Sequence, residues 1–226
     1  MELNDTKGED LLKVAIVTGD HPYEVVAFHR LIRSLAGMDV YIQNIDNFAH
    51  DFEHGKLDFY DVFVFFNYHQ DGPTDEDLKW FKGKPKSALE FALDSKKGVV
   101  MWHHGMLAFP QWDRRKEMTG LNVQKMTVSF NETIPVEVLN SRHPITEGLS
   151  DWAMVDETYN MDGPSPDCDV LLRTTHPECV KELAWTRVVR GKRSFVFQSG
   201  HDGQTWSNEN FQRVLHRGIQ WASGRI

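Results

Sequence analysis

The stretch "VVMWHHG", residues 99–105, decides how the rest of the chain is interpreted. Three apolar residues and a tryptophan lead directly into two histidines and a glycine. A short apolar run of this kind is typical of a buried strand. In open α/β sheets, ligands bind outside the carboxyl ends of the strands. We therefore expect His103 and His104 to lie at a ligand-binding edge of a sheet.

The residues around this stretch alternate between strand and helix patterns. Strands are predicted at 13–20, 38–45, 60–67 and 98–102, and a break in the helical pattern at 83–85. This alternation predicts an α/β fold with a doubly wound, mostly parallel sheet of the flavodoxin-like kind. The positions at helical spacing are Val25, Phe28, Leu31, Ile32 and Leu35, ending near Gly37, and then Leu78, Phe81, Ala88, Leu89, Ala92 and Leu93.

The second half of the chain is richer in strands than in helices. We expect some of these strands to extend the main sheet and others to pair as an antiparallel ribbon, with a hairpin turn at 189–192. Residues 1–226 are interpreted as one domain, of which 1–12 form a loose tail. The predicted strands are 125–130, 134–139, 169–174, 182–189 and 193–200. The last helix runs from about Ser207 to Ala222, with an apolar face of Phe211, Val214, Leu215, Gly218 and Ala222.

Composition restricts the class of partner. With 25 Lys and Arg against 33 Asp and Glu, the net charge of −8 offers no basic surplus for a nucleic acid. No apolar run reaches the ~20 residues of a membrane helix, and the N-terminus has no signal-peptide pattern. We expect a cytoplasmic protein that binds neither membranes nor nucleic acid, with Cys168 and Cys179 as free thiols. The sequence leaves open whether the chain forms a homo-oligomer.

Polar side chains follow four of the predicted strands. Because the carboxyl ends of parallel strands meet at one edge, these side chains should share a rim. His103 and His201 are the favoured functional residues, since each follows a long apolar strand beside a glycine. The strand-end residues are Asp20 and His21, then Asn67, Tyr68 and His69, then His103 and His104, then His201 and Asp202. The histidines assigned to helix faces or surface loops are His29, His50, His54, His176 and His216.

Glu157, in "VDETYN" (155–160), is the acidic counterpart of these histidines, although the same segment is compatible with a solvated turn. Histidines with a carboxylate are common ligands of a divalent metal, most often zinc. The same groups are also suited to an acid–base pair, and the sequence does not separate the two. The predicted catalytic residues are His103, His201 and Glu157. The predicted metal ligands are these three and His69, with His21 and His104 as weaker candidates. No nucleotide cofactor is expected.

Aromatic residues beside these segments suggest a carbohydrate ligand, because a ring face suits the C–H face of a sugar. Core packing is the alternative for each ring taken alone. A phosphate is not favoured, since "TGDHPYE" offers one glycine and acidic neighbours, although Arg114 and Arg115 could reach back to the site. The candidate substrate-binding residues are Tyr68, Trp112, Tyr159, Trp206 and Asp202, with Phe109 beside them.

Seven segments, in order, resemble the trehalose-utilisation (ThuA-like) family: "KVAIVTGDHPYE", "GVVMWHHG", "HPITEGL", "DETY", "AWTR", "RGKRSFVFQSGHD" and "FQRVLHRGIQWA". The resemblance runs from about Lys13 to Ala222 and implies a class I glutamine amidotransferase-like fold and a role in carbohydrate utilisation, often of disaccharides and their keto forms. In those amidotransferases a cysteine within Gly-x-Cys-x-Gly occupies the turn where this chain has His103. The resemblance therefore implies no glutaminase activity, because imidazole forms no comparable thioester.

The sequence is compatible with two functions. The first is a metal-assisted enzyme that acts on a monosaccharide or a keto-disaccharide as a hydrolase, lyase or isomerase. The second is a non-catalytic sugar-binding or regulatory module that keeps the ligand crevice. The missing cysteine favours the module, and the histidines and Glu157 at the strand ends favour the enzyme.

Overall fold

The computed structural model describes residues 10–76, 79 and 82–226. The strands in these ranges are β1 (Leu12–Gly19), β2 (Met38–Asn44), β3 (Val62–Asn67), β4 (Gly98–Trp102), β5 (Thr127–Val138), β6 (Trp152–Asn160), β7 (Asp169–Arg173), β8 (Glu182–Val189) and β9 (Lys192–Phe197). The helices are α1 (Val25–Ser34), α2 (Ile45–Glu53), α3 (Pro85–Asp94), α4 (Asp113–Thr119), α5 (Gly203–Trp206) and α6 (Glu209–Ser223), with 3₁₀ segments at Leu57–Phe59 and His103–Leu107.

The described strands form one mixed sheet in the order β2-β1-β3-β4-β9-β8-β7-β5-β6. The five strands from β2 to β9 pair in parallel, and the remaining pairs are antiparallel. The α/β prediction with added antiparallel strands in the second half is therefore confirmed. The strand order reverses between β1 and β3, and such a point is where ligands bind in open α/β sheets.

Alternate residues of β1 belong to two separate cores. Val14 and Ile16 are buried with residues of α1 and α6, whereas Ala15 and Val17 are buried with residues of α2 and α3. Helices thus cover both faces of the parallel strands, which explains why these strands are apolar almost throughout. No helix in the described ranges is long and apolar enough to cross a membrane.

The last helix, α6, forms as its sequence pattern predicts. Asn208 caps its first turn by accepting a hydrogen bond from the backbone N–H of Phe211 at 3.0 Å. Gly224, with φ of 85°, ends it in the left-handed conformation that favours glycine. The predicted apolar face is buried against β4 and β9.

Several predicted boundaries differ from the structure. The two strands expected at 125–130 and 134–139 are one strand, β5, whose pairing with β6 shifts register between Ser129 and Glu132. The segment around Glu157 is the strand β6 and not a turn. α2 and α4 were not predicted. β2 ends at Asn44, one residue before the predicted boundary, because the side chain of Asn44 caps α2 by accepting from the backbone N–H of Asn47.

Smaller differences concern single residues. Val25 begins α1 and is 57 % exposed, so it does not belong to the buried face predicted for this helix. Leu12, assigned to the loose tail, is buried in β1. Leu78, Phe81 and residues 1–9 of the predicted tail lie outside the described residues. The predicted hairpin turn joins β8 to β9 through Arg190 and Gly191, both with positive φ.

Gly98, the first residue of β4, is expected to be indispensable for the packing of α6. A Cβ added at Gly98 would lie 1.9 Å from the carbonyl oxygen of Ala222, so the helix backbone would have to move. We expect Gly98→Ala to lower the free energy of unfolding by about 2–3 kcal/mol, the usual scale of overpacking. Gly72→Ala is the matched control, since a Cβ there meets nothing within 4 Å. Equal stability of the two variants in urea denaturation would contradict this account.

Candidate functional site

β4 ends in a sharp turn that presents His103. The φ of His103 is 51°, a left-handed conformation that histidine adopts at some cost. The 3₁₀ segment that follows presses against β3. A Cβ at Gly105 would lie 2.0 Å from the carbonyl oxygen of Phe65, so only glycine fits there. A strained turn of this kind aims one side chain above the end of the sheet.

Two histidines and a glutamate converge beside this turn. The Nε2 atom of His103 lies 3.1 Å from Oε2 of Glu157, and Nδ1 of His201 lies 2.6 Å from the same oxygen. The three ligand atoms all lie within 4.8 Å of one another. We call His103, Glu157 and His201 the trio. Two imidazole nitrogens and a carboxylate oxygen are a common donor set for a divalent metal.

The ribbon formed by β5 and β6 carries Glu157 to the trio. β5 pairs with β7 only at Glu137 and Val138, and the rest of β5 pairs with β6. The ribbon therefore extends to the carboxyl ends of β4 and β9, where the side-chain amide of Gln198 donates to the backbone oxygen of Glu157 at 3.1 Å. Glu157 and Tyr159 are two residues apart in β6, so their side chains lie on the same face of the ribbon.

Backbone contacts fix the tautomer of His103. Its Nδ1 lies 2.8 Å from the carbonyl oxygen of Gln198, which requires a proton on Nδ1. Nε2 then faces Glu157 and also the phenol of Tyr159, at 3.1 Å. A histidine that donates one ring N–H to a carbonyl and directs its other nitrogen inward has the arrangement of many metal ligands.

The carboxylate of Glu157 is strongly stabilised in its charged form. Burial alone would raise its pKa, but the contacts with His103 and His201 outweigh burial and lower the pKa to about 2. The contact with Glu157 raises the pKa of His201 against the opposing effect of burial. Nδ1 of His201 is nevertheless buried without a well-aligned hydrogen bond among the described residues. A cation between these atoms would satisfy that nitrogen.

Asp156 holds the turn that carries His201, a role that the sequence patterns did not reveal. Its carboxylate accepts hydrogen bonds from the backbone N–H groups of Gly200 and His201, at 2.9 and 3.0 Å. The hydroxyl of Thr205 donates to it at 2.9 Å. Asp156 and Glu157 thus act on opposite sides of β6, one positioning the His201 backbone and the other contacting the His201 ring. The adjacent acidic pair in "VDETYN" was the available signal.

His21 and His104 form a stacked pair beside the trio. Their ring centroids are 4.2 Å apart, and His104 is 5.0 Å from His103. Burial lowers the pKa of His104 to about 2 and also lowers the pKa of His21, so both rings are neutral at physiological pH. His104 donates from Nε2 to Phe66 O, and His21 donates from Nδ1 to Pro22 O. The two predicted weaker candidates therefore border the site without joining the trio.

The structure does not place His69 with the trio. Its Nε2 is 3.7 Å from Asp20, its Nδ1 contacts the amide of Asn67, and its ring stacks on Phe109. These contacts hold His69 in a separate cleft with Asp46 and Lys82. The expectation that His69 shares a metal with the trio is therefore corrected. The histidines predicted to lie at the surface are half-buried or exposed and outside the trio, namely His29, His50, His54, His176 and His216.

Two of the predicted sugar-binding rings lie close to the trio and two do not. Tyr159 touches His103, and the half-buried Tyr68 lies 5.7 Å from His104, ring to ring. Trp206 is only 2 % exposed and donates to the carbonyl oxygen of Gly200, so it belongs to the core. Trp112 packs against Phe109 on the far side of the 3₁₀ segment.

The remaining predicted polar groups have other partners. Asp202 caps α5 by accepting from the backbone of Gln204 and Thr205. Arg115 is buried and donates to the carbonyl oxygens of Met106 and Pro110, while Arg114 pairs with Asp94 and Glu117. Neither guanidinium group turns toward the trio.

Both cysteines are free, as expected. Cys179 is buried, and burial raises its pKa to about 12. Its thiol contacts the side chain of Gln198 at 3.7 Å and not the turn at His103. Burial also raises the pKa of the half-buried Cys168. Neither thiol therefore occupies the position of a nucleophile at the end of β4.

The chain matches one known family over most of its length. The sequence model of the ThuA family, described as trehalose utilisation, matches residues 13–222. A putative ThuA-like protein from Parabacteroides merdae superposes with a TM-score of 0.71 at 19% identity, covering 94% of this chain and 90% of that one. A putative ThuA-like protein from Bacteroides uniformis gives 0.71 at 18% identity, with 98% and 95% covered.

A more distant structure shares the fold. A putative GMP synthase protein from Thermoplasma acidophilum superposes with a TM-score of 0.58 at 15% identity, covering 95% of this chain and 96% of that one. A search of curated proteins found no match. The family model and the structures agree with the amidotransferase-like fold that the sequence resemblance implied.

The contact between His201 and Glu157 predicts a specific pH dependence of stability in the presence of a chelator. The folded-state pKa of His201 lies above its ordinary value of 6.5, so its contribution is complete below pH 6.5 and is lost as the pH rises through the folded pKa. Relative to His201→Gln, the wild type should lose up to about 1.4 kcal/mol of stability per pH unit above pH 6.5.

Urea denaturation between pH 6.5 and 8 measures this difference. His50→Gln is the control, because it removes an exposed histidine outside the trio and should leave the pH dependence as in the wild type. Parallel stability curves for the wild type and His201→Gln would show that Glu157 does not hold a proton on His201.

Proposed function

The chain belongs to the ThuA (trehalose utilisation) family, and we propose that it acts on a small carbohydrate at the trio of His103, Glu157 and His201. The observation that carries this proposal is the convergence of three metal-ligating atoms at the carboxyl edge of the sheet. Ligands bind at that edge in open α/β folds. Family membership supplies the carbohydrate class, and the trio supplies the chemistry.

We propose that the trio binds a divalent metal, and zinc is the ion proposed because two imidazoles and one carboxylate with an open position form a known catalytic zinc site. Two observations support the fit. Nδ1 of His201 is buried without a well-aligned hydrogen bond among the described residues. Nε2 of His103 and Nδ1 of His201 both face Oε2 of Glu157, at 3.1 and 2.6 Å. A cation placed among these three atoms would be bound by all of them at once.

A bound divalent ion would polarise a carbonyl or hydroxyl group of the sugar. The residues around it have separate tasks. Glu157 stays ionised because its pKa is about 2, so it keeps a negative charge beside the imidazoles. The phenol of Tyr159 donates to Oε2 of Glu157 at 3.5 Å and resists ionisation, since burial raises its pKa well above 10.0.

His21 is the best-placed proton acceptor in this proposal. Its Nδ1 is committed to the carbonyl oxygen of Pro22, at 2.7 Å, which leaves Nε2 as the basic nitrogen. Burial and the neighbouring histidines lower its pKa, so the ring is neutral and able to accept a proton at physiological pH. Its ring centroid lies 6.4 Å from that of His201. A keto-sugar suits this arrangement, because a polarised carbonyl makes the neighbouring C–H more acidic.

An uncharged sugar is a better candidate than a sugar phosphate. Arg114 and Arg115 are bound to other groups, so neither is available to a phosphate at the trio. A phosphate dianion would need converging basic side chains or a glycine-rich helix N-terminus. The proposed substrate class is therefore a monosaccharide or disaccharide, with a keto-disaccharide preferred.

A sugar-binding module without catalysis is the second candidate. One observation favours it: His103 is 0 % exposed and contacts Glu157 and Tyr159, so His201 is the most exposed member of the trio. Turnover of a bound keto-sugar, followed by chromatography of the products, separates the enzyme from the module.

Zinc content tests the metal proposal. Wild-type protein purified without chelator and incubated with zinc should hold about one ion per chain by elemental analysis, as expected for a single trio. Glu157→Gln and His201→Ala should lose the ion, because each removes one ligand atom. His69→Ala is the matched control, since His69 lies in a separate cleft and should leave zinc content unchanged. Wild-type content far below one ion per chain, or loss of zinc in His69→Ala, would contradict the assignment.

Sugar binding tests the proposed substrate class. Thermal unfolding should be followed with trehalose, its keto derivative, glucose and trehalose 6-phosphate, each with and without zinc. A sugar that binds the native site stabilises it by about 2.7 kcal/mol at a hundredfold excess over Kd. We expect stabilisation by an unphosphorylated sugar, larger in the presence of zinc. Stabilisation by the phosphate alone would reject the uncharged class, and no response to any of the four would reject the proposed function.

A further inference from the structure

Phe130 is the most exposed aromatic residue in the described part of the chain, at 58 %. The other exposed rings there, Tyr41 and Phe59, lie edge to face against each other with centroids 5.4 Å apart. Among the described residues, Phe130 makes its ring contact with His201, at 5.4 Å between centroids. Single exposed apolar residues are common on proteins and alone indicate nothing. The position of this ring beside the trio is what distinguishes it.

A β-bulge directs Phe130 toward His201. The pairing of β5 with β6 shifts register between Ser129 and Glu132, and Asn131 adopts a φ of 57° inside that shift. Asparagine tolerates this left-handed conformation better than most residues. β-bulges re-aim side chains next to functional sites. The local backbone therefore turns Phe130 outward where a regular strand would continue its alternation.

A hydrogen bond joins the bulge to the segment that follows His201. The side-chain amide of Gln204 donates to Oδ1 of Asn131 at 3.1 Å, and it also donates to Asp202 at 3.3 Å. Both Gln204 and Asn131 are exposed. Within the described part of the chain, these bonds leave Oε1 of Gln204 and Nδ2 of Asn131 available to a ligand. One accepts from a hydroxyl group and the other donates to one.

We propose that Phe130 is a sugar-binding platform, on which an uncharged pyranose ring stacks its C–H face beside His201 while Gln204 and Asn131 bind its hydroxyl groups. This inference rests on the proposed function and names the surface that holds the substrate. An apolar ring face bordered by amide side chains matches the two faces of a sugar, one rich in C–H groups and one in hydroxyls. Phe130 is a binding residue, since it offers no group that exchanges a proton or holds a metal.

The surroundings of Phe130 match an uncharged ligand. Glu132 lies 3.4 Å from His176, Ser129 bonds to Glu178, and Asp202 bonds to Gln204. The charged side chains beside the bulge are thus mainly acidic, and they oppose a phosphate. A ring seated on Phe130 reaches the trio from the His201 side, which is the side that Glu157 and Tyr159 do not cover.

Binding of trehalose and of its keto derivative to four variants tests this inference, with zinc-loaded protein and titration calorimetry. We expect Phe130→Ala to weaken sugar binding about tenfold or more, the effect of losing one stacked ring. Phe130→Trp should restore binding, whereas Phe130→Leu should not, because it keeps apolar area but has no flat ring. Phe59→Ala is the matched control. Phe59 is an exposed phenylalanine in the 3₁₀ segment before β3, at the opposite edge of the sheet from the trio, so this variant should bind sugar as the wild type does.

Each result decides between specific interpretations. If the wild type binds sugar and Phe130→Ala binds it equally well, the platform is wrong and the proposed function stands. If the wild type binds neither sugar, the platform falls together with the proposed function. If Phe130→Ala loses zinc as well as sugar, Phe130 supports His201 and is not a platform. Unchanged zinc content with weakened sugar binding, rescued by tryptophan, supports the inference.

Discussion

A buried carboxylate between two imidazoles organises the carboxyl edge of this sheet. Glu157 contacts His103 from the end of β4 and His201 from the turn after β9. A carboxylate so deeply buried is tolerated only with partners that stabilise its charge. The His103 turn, the β5–β6 ribbon and the turn anchored by Asp156 therefore depend on one another, because each delivers one group to the same few ångströms.

Backbone strain is concentrated around the same edge. In the described part of the chain, five residues other than glycine have positive φ. Four of them lie near this edge: Asp20 after β1, His103 after β4, Phe109 after the 3₁₀ segment His103–Leu107, and Asn131 in the β5 bulge. Such conformations persist only where surrounding contacts impose them. Gly105 against Phe65 and Asn131 against Gln204 are two of these contacts. The rigid sheet thus supports a rim whose conformation is set by tertiary contacts.

The parallel half of the fold could be predicted from the sequence because its strands are apolar on both faces, as in β3 and β4. The strand-end rule also predicted that His103 and His201 lie at one edge of the sheet, where both contact Glu157. β6 could not be found this way, because it buries two acidic residues, Asp156 and Glu157, where an apolar pattern would be expected. Their partners come from the segment after β9, which is distant in sequence. The same rule placed His69 in the site incorrectly, because Asp20 and Asn67 hold that ring in another cleft. Phe130 lay in a predicted strand, but its exposure follows from a register shift that one sequence does not reveal.

The residue at the end of β4 determines what the rest of the fold can do. A nucleophile elbow normally leaves its side chain open above the sheet. Here the β5–β6 ribbon covers that position, so His103 is fully buried and bonded to Gln198, Glu157 and Tyr159. An imidazole enclosed in this way cannot attack a substrate, but its Nε2 remains able to ligate the proposed ion. The partly exposed ring of His201, next to Phe130, is on the side of the trio that remains accessible. The ribbon therefore supplies the carboxylate and leaves the His201 side open to the proposed sugar.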